Sequence, residues 1–140
     1  MKHYLLILSA LFTLSFYACD DDEGDASIYE YHAHIHHPDT TSRTIGDTLE
    51  IEIEFESHTG QPVHHINVMI FNKVDKAVVY NKPDDAHVDE SSGVYAFEDL
   101  FILSSANGLT AGDWVLEATV WGETDGQEET SASVEFHLQE

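Results

Sequence analysis

The stretch Leu49–Glu56 reads LEIEIEFE and has the clearest period-two pattern in the chain. Apolar residues at the odd positions alternate with four glutamates, and successive side chains of a β-strand point to opposite faces. The pattern therefore predicts a strand with one face in a hydrophobic core and a glutamate face toward solvent. A sheet with only one buried face is typical of antiparallel arrangements.

Similar alternation extends in both directions from this strand. Upstream, residues 29–36 alternate apolar residues with Glu30 and three histidines, and a turn-rich segment at 38–47 separates the two strands. Downstream, we predict strands at 63–71, 78–80, 94–103, 114–120 and 132–138, with polar loops at 81–93 and 122–129. About seven strands in about 110 residues predict one all-β domain over residues 28–140, an antiparallel immunoglobulin-like or fibronectin-like β-sandwich.

The first eighteen residues differ from the rest of the chain. A short polar start precedes the almost entirely apolar run Tyr4–Tyr17, and no acidic residue occurs before Asp20. This layout is typical of a signal peptide, which we assign to residues 1–18. The run is shorter than the ~20 residues that a membrane-spanning helix needs, and no later stretch approaches that length. Any membrane attachment of the mature protein is therefore expected to be covalent.

Cys19 follows the apolar run and is the only cysteine in the chain, so no internal disulfide can form. The sequence Phe16–Cys19 resembles the lipobox of bacterial lipoproteins, in which the cysteine is lipidated and becomes the first mature residue. Tyr17 departs from the usual Ser, Ala or Gly at its position. The resemblance implies that Cys19 carries acyl chains such as palmitate, and multiple chains anchor a protein stably to a membrane.

Residues 19–27 form an acidic tether that begins with Cys19 and contains Asp20, Asp21, Asp22 and Glu23. It resembles the segment that sends some Gram-negative lipoproteins to the outer face of the outer membrane, so we expect a surface-exposed protein. The alternative is a solvated, self-repelling linker. Loss of residues 1–18 removes Lys2 and changes the formal charge from −22 to −23. Such a charge excludes nucleic acid and anionic lipid as partners and leaves cations, cationic proteins and neutral ligands.

The stretch Leu109–Ala118 reads LTAGDWVLEA and resembles the corner before the penultimate strand of bacterial Ig-like domains, where an aromatic residue follows glycine by two positions. Trp114 stands where tyrosine is usual, so the hydroxyl hydrogen bond of this corner is missing, though an indole N–H could replace it. Together with the lipobox and the histidine-rich first strand, the mature chain is similar to small histidine-rich bacterial lipoproteins with an Ig-like domain. This resemblance implies a fold and a location, and it implies no reaction.

Nine of the ten histidines follow the tether, with four in residues 32–37 and three in residues 58–65. Residues two apart on a strand share a face about 6.6 Å apart, and neighbouring imidazoles can share a metal ion at about 2.0 to 2.1 Å. The turn near His58 and the strand after it are expected at the same end of the sandwich as the start of the first strand. The predicted metal ligands are therefore His32, His34, His36, His58, His64 and His65. We expect His37 and His137 toward the opposite end, and His87 has no predicted place.

The glutamate face of Leu49–Glu56 supplies candidate supporting groups. If the first two strands form the hairpin that their order implies, the register pairs three histidines with three glutamates: His36 with Glu50, His34 with Glu52 and His32 with Glu54. These carboxylates could complete a metal shell or orient the imidazoles, and acidification would weaken metal binding because protons compete for the nitrogens. Imidazole and carboxylate without thiolate favour Zn(II), Cu(II) or Ni(II) over Cu(I). The alternative is an ordinary solvent-exposed ladder of complementary His and Glu side chains.

Other functions have weaker support in the sequence. The chain has no glycine-flanked serine, no helical pair of histidines around a glutamate, no phosphate-binding glycine loop and no free thiol in the mature part, so we expect no enzyme activity. The alternative function is a binding module for a glycan or an envelope protein. It would use Trp121, Met69 and Phe71, because exposed aromatic residues favour sugar or protein contacts. The same side chains could equally pack against the chain's own loops.

Overall fold

The structure is a computed structural model that describes residues 31–58, 62–83, 87–88, 93–123 and 129–140. The expected signal peptide, Cys19 and the acidic tether lie outside these residues. The described strands are β1 (Tyr31–His37), β2 (Arg43–Thr44), β3 (Thr48–Ser57), β4 (His65–Asn72), β5 (Val78–Lys82), β6 (Val94–Ile102), β7 (Gly112–Trp121) and β8 (Thr130–Gln139), with a 3-10 turn at Ser105–Asn107. In this part of the chain, no helix has the length and apolar character needed to cross a membrane.

The strands form two sheets that pack face to face as an immunoglobulin-like β-sandwich. One sheet has the order β1-β3-β6 and the other the order β2-β8-β7-β4-β5. Neighbouring strands are antiparallel, except that β2 runs parallel to β8. The predicted all-β sandwich is confirmed, and the short strand β5 lies at the edge of its sheet. The described residues form eight strands where the sequence predicts about seven, because the segment predicted as a turn at 38–47 contains β2.

Alternate side chains of the strands fill the space between the sheets, as their period predicts. The odd-numbered apolar residues of β3 are at most 1% exposed, and Tyr31 of β1 is 3% exposed. The buried core also contains Ile66, Val68, Ile70, Trp114, Leu116, Ala118, Val120, Phe136 and Leu138. Burial of these faces leaves the histidines of β1 and the glutamates of β3 on the outer surface of the three-stranded sheet.

The predicted register between the first two long strands is wrong by two residues. In the structure His32 lies opposite Glu56 and His34 lies opposite Glu54, while a bulge after Ile35 pairs His37 with Glu52. The path of the chain between β1 and β3 explains this difference in register. The chain leaves the three-stranded sheet after β1, adds β2 to the other sheet beside β8, and then returns as β3. Because this connection is no tight hairpin, its length does not fix the register.

The predicted corner before β7 is present. The indole N–H of Trp114 donates a hydrogen bond to the carbonyl oxygen of Thr110 at 2.9 Å, so the tryptophan replaces the tyrosine hydroxyl as expected. The ring itself is 2% exposed. Trp114 therefore joins the corner to the core and sets the start of β7, the strand whose other end carries Trp121.

Candidate metal centre

Three histidines and one glutamate come together on the outer surface of the three-stranded sheet. We call His32, His34, His58 and Glu56 the first histidine cluster. His32 and His34 share the outward face of β1 because Tyr31, Ala33 and Ile35 are held against the core. Glu56 lies on the same face of β3, opposite His32, and His58 follows directly after β3. Strand period and register thus gather four donor side chains from two neighbouring strands.

One carboxylate oxygen of Glu56 lies at the centre of this cluster. Nε2 of His58 donates to Oε2 of Glu56 at 3.2 Å, and Nε2 of His34 lies 3.3 Å from the same oxygen. The ring of His32 packs between the other two, with ring centres 4.4 Å from His58 and 6.1 Å from His34. The side chains of His34 and His58 are about half exposed. Solvent therefore reaches both rings.

The electrostatics of the cluster keep Glu56 ionised. The hydrogen bond from His58 holds the pKa of the Glu56 carboxyl below its ordinary value; desolvation opposes this shift, and the charge of His34 adds a smaller lowering effect. Sequence reasoning missed Glu56 because the register differs by two residues, whereas Glu54, which it did select, lies opposite His34. Glu50 and Glu52, which were predicted to support the histidines, line a separate acidic groove on the same sheet together with Glu98 and Asp99.

A second group of three imidazoles lies at the start of the five-stranded sheet. We call His64, His65 and His87 the second histidine cluster. The ring centres are 5.1 Å apart for His65 and His87, 6.0 Å for His64 and His87, and 6.3 Å for His64 and His65. His87 is placed by backbone pairing, since it forms an isolated bridge with His65. The position of His87 could not be predicted from the sequence, because this bridge joins residues that are far apart in the chain.

Trp121 and Gly122 hold His65 in a fixed orientation. The ring of His65 stacks on the indole of Trp121 with ring centres 5.2 Å apart and planes 8° apart. Nδ1 of His65 donates to the carbonyl oxygen of Gly122 at 2.7 Å. A carbonyl oxygen can only accept, so Nδ1 carries the proton and Nε2 of the neutral ring is left with its lone pair.

Both clusters lie at one end of the sandwich, as predicted. The hydroxyl of Tyr31 donates to the carbonyl oxygen of Pro62 at 3.3 Å, and a side chain at Gly122 would meet that hydroxyl at 3.1 Å. Tyr31 thus joins the start of β1 to the end of β7. The six predicted ligands do not form a single cluster, however. His34 faces outward from one sheet and His65 from the other, and the outer faces of a sandwich are separated by two sheets about 10 Å apart.

The remaining histidines lie outside the two clusters. His36 falls between the pairs Ile35–Ile53 and His37–Glu52, so it is the extra residue of the β1 bulge, and its side chain is exposed. His137 lies near the end of β8 that pairs with the start of β7, and its Nδ1 lies 2.8 Å from Oδ1 of Asp113. That hydrogen bond lowers the pKa of the Asp113 carboxyl. The predicted position of His137 at the opposite end of the sandwich from His65 is confirmed.

The aromatic residues of the alternative binding module make contacts within the chain. Trp121 is covered on one face by His65, and Nζ of Lys76 lies 4.8 Å above the ring centre of Phe71. Trp121, Met69 and Phe71 do lie on the outer face of the five-stranded sheet, and each is partly buried. The ring faces of Trp121 and Phe71 thus serve cross-strand and cation–π contacts rather than forming one open platform.

The side chains of the described residues are not arranged as the ligands of a metal ion. Across residues 31–58, 62–83, 87–88, 93–123 and 129–140, no three His, Cys, Asp or Glu side chains already stand in a geometry that would hold a metal ion. The first cluster nevertheless supplies nitrogen and carboxylate donors that suit Zn(II), Cu(II) and Ni(II). Half-exposed rings reorient on a fast timescale. The donor chemistry therefore fits such an ion after small side-chain rotations.

Comparison with protein-family models and with curated proteins gives no match. Solved structures do match. The solution structure of the CARDB domain of a Pyrococcus furiosus protein has a TM-score of 0.51 and 14% identity, over 79% of this chain and 94% of that one. The sporulation control protein Spo0M of Bacillus subtilis has a TM-score of 0.51 and 11% identity, over 80% of this chain and 49% of that one. At these identities the likeness shows the β-sandwich fold and nothing further.

Proposed function

We propose that this protein is a lipid-anchored envelope protein whose domain binds a divalent transition metal ion at the first histidine cluster. The observation that carries the proposal is the position of one oxygen of Glu56, 3.2 Å from Nε2 of His58 and 3.3 Å from Nε2 of His34. Two donors bound at about 2.05 Å to one tetrahedral zinc ion lie about 3.3 Å apart. Each of the two nitrogens therefore lies from this oxygen at the spacing of two ligands of one ion, and the ion would take the place of the Nε2 proton.

His32 can supply a third nitrogen donor. Its ring centre is 4.4 Å from that of His58, and rings bound to one tetrahedral ion have their centres about 5 Å apart. Three imidazoles and a carboxylate make a closed four-ligand shell, which suits an ion that is held rather than one that reacts. The shell has no sulfur, so it favours Zn(II), Cu(II) or Ni(II) over Cu(I).

The rest of the sequence supports this role. The formal charge of −23 after residue 18 creates a negative potential that concentrates cations near the surface. The lipobox-like sequence at Cys19 supports attachment by acyl chains, and the acidic tether supports exposure on the outer face of the outer membrane. A domain at that position meets metal ions before they enter the cell.

Titration calorimetry of the mature protein with Zn²⁺ and with Cu²⁺ tests the proposal. The double variant His34→Ala/His58→Ala removes two proposed ligands, and we expect the affinity of this site to fall at least about a hundredfold, because loss of an outer partner alone costs about 10 to 100-fold. In a parallel thermal scan, an ion at a hundred times its Kd should stabilise the wild-type fold by about 2.7 kcal/mol.

His36→Ala is the matched control, since it removes an exposed histidine of the same strand that lies outside the cluster. We expect wild-type affinity in this variant. Equal losses in His36→Ala and in His34→Ala/His58→Ala would point to nonspecific attraction by a histidine-rich acidic surface. Unchanged affinity in the double variant would refute the site.

A further inference from the structure

We infer that the second histidine cluster is a separate site for a second transition metal ion, bound by His64, His65 and His87. This inference rests on the proposed function in its premise that the domain binds such ions, but it uses no residue of the first cluster. It also gives a role to His87, which bridges to His65 from a loop.

The spacing of the three rings suits a shared ion. Imidazoles bound to one tetrahedral ion have ring centres about 5 Å apart, and those of His65 and His87 are 5.1 Å apart. The distances from His64 to these two rings are 6.0 and 6.3 Å. A movement of about 1 Å by the partly exposed His64 ring would close the triangle.

The surroundings of His65 are those of a metal ligand. Bound histidines almost always donate their other ring N–H to a carboxylate, a backbone carbonyl or a water, and this fixes the tautomer and the ring orientation. Nδ1 of His65 makes such a bond to the carbonyl oxygen of Gly122, so Nε2 keeps the lone pair that an ion needs. Stacking on Trp121 limits rotation of the ring further. His65 is thus oriented before any ion arrives.

Two clusters at one end of the sandwich form two sites because their rings belong to different sheets. His34 faces away from the core on β1, and His65 faces away from the core on β4, on the other side of the sandwich. The second cluster also differs in donor set, with three imidazoles and no carboxylate among its members. Three neutral imidazoles favour Cu(II), Zn(II) or Ni(II).

Trp121 provides a direct readout of the second cluster. A Cu²⁺ ion on His65 would lie close to the stacked indole and quench its fluorescence. Trp114 lies at the other end of β7, about 23 Å away along the strand, and is buried in the core, so its emission is an internal reference. We therefore expect Cu²⁺ titration of the mature protein to quench part of the tryptophan emission, and Trp121→Phe to lose this quenching.

The variant His64→Ala/His87→Ala tests the ligands while leaving the contacts of His65 with Trp121 and Gly122 in place. We expect calorimetry to give two Cu²⁺ ions for the wild type and one for this variant, with the quenching lost at matched ion concentration. The matched control is His34→Ala/His58→Ala, which should also bind one ion but keep the quenching. If His34→Ala/His58→Ala binds as many Cu²⁺ ions as the wild type and keeps the quenching, the first site is refuted and the second site is not.

Three results would overturn the second site. One is two bound ions with undiminished quenching in His64→Ala/His87→Ala. Another is quenching that persists in Trp121→Phe. The third is loss of all binding in both double variants, because this would mean one ion shared between the clusters.

Discussion

A single carboxylate oxygen connects two imidazoles in the first histidine cluster, and this makes Glu56 its central residue. The hydrogen bond from His58 lowers the pKa of the Glu56 carboxyl, so the group is ionised at neutral pH. Glu50, on the same face of β3, has the same chemistry but lies near the other end of the strand, opposite Leu100. Position on the strand, rather than residue type, distinguishes the two glutamates.

Glu56→Gln therefore weakens metal binding. The amide keeps the shape of the side chain but loses the negative charge and one acceptor oxygen, so we expect Zn²⁺ affinity to fall about 10 to 100-fold. Titration calorimetry measures the effect. Without metal, the thermal midpoint should change little, because partly exposed ion pairs contribute little to stability.

Glu50→Gln is the matched control for this experiment. It removes the same charge from the same face of β3, and it changes the long-range potential equally. We expect its Zn²⁺ affinity to stay within about twofold of the wild type, because charges this far from the ion are screened by salt. An equal loss in both variants would show that net charge, and not the position of Glu56, determines affinity.

At the scale of the strands, local patterns are predictable and long-range pairing is not. The alternation of LEIEIEFE predicts which side chains of β3 are buried because burial of one face depends only on the period of the strand. The register of β1 on β3 depends on a connection that enters the other sheet as β2 and on a bulge at His36. Nothing in the period of either strand encodes these features.

The candidate site likewise has one part that could be predicted from the sequence and one part that could not. The histidine face of β1 could be predicted from alternation, and His58 could be placed near it from the order of the strands. The role of Glu56 required the true register. The place of His87 required the bridge to His65. The signal that could have helped is Val88, an apolar residue within a polar loop that is buried in the structure. It indicates that the loop returns to the core beside His87.

The open edges of the two sheets are joined by a side-chain hydrogen bond. Tyr80 of β5 donates through its hydroxyl to Oδ2 of Asp99 on β6 at 2.7 Å, and its ring lies 5.0 Å from that of Phe101. β5 and β6 are edge strands of different sheets. The bond therefore connects the two layers where backbone pairing cannot. Burial, followed by the hydrogen bond to Asp99 and its charge, raises the pKa of Tyr80.

Tyr80→Phe removes this bond and keeps the ring in the core. We expect the free energy of unfolding to fall by about 1 kcal/mol, the usual net contribution of one such bond, as measured by urea denaturation at pH 7. The raised pKa adds a test in alkali. A group whose pKa is higher in the folded state stabilises the fold fully below its unfolded pKa of 10.0, and this contribution declines as pH rises further.

The difference in stability between the wild type and Tyr80→Phe should therefore be constant from pH 7 to 9 and shrink above pH 10. Other tyrosines and lysines titrate in the same range, but they do so in both proteins and cancel in the difference. A difference that grows above pH 10 would contradict the assignment of the hydroxyl as the donor to Asp99.

Negative charge dominates the molecule as a whole. Of the four basic residues after residue 18, Arg43 pairs with Asp39, Lys73 pairs with Glu135, and Lys76 lies over the ring of Phe71. Most of the 27 acidic residues are therefore not neutralised by a basic neighbour. This field attracts metal ions, and it also repels anionic lipid surfaces. A protein with this charge needs a hydrophobic anchor to stay on a membrane, which is the role proposed for Cys19.

Cys19→Ser tests that anchor. Each buried methylene of an acyl chain contributes about 0.8 kcal/mol, so loss of the chains should move the protein from the membrane pellet to the soluble fraction and abolish labelling by a palmitate analogue. Circular dichroism should report the same β-sandwich in both proteins, because the described domain begins at Tyr31.

A second variant with Asp20, Asp21, Asp22 and Glu23 changed to Ala separates anchoring from export. It should remain in the membrane pellet but lose accessibility to protease added outside the cell. Membrane retention of Cys19→Ser would show that some other part of the chain holds the protein on the lipid, and continued surface exposure of the alanine variant would show that the acidic residues act only as a spacer.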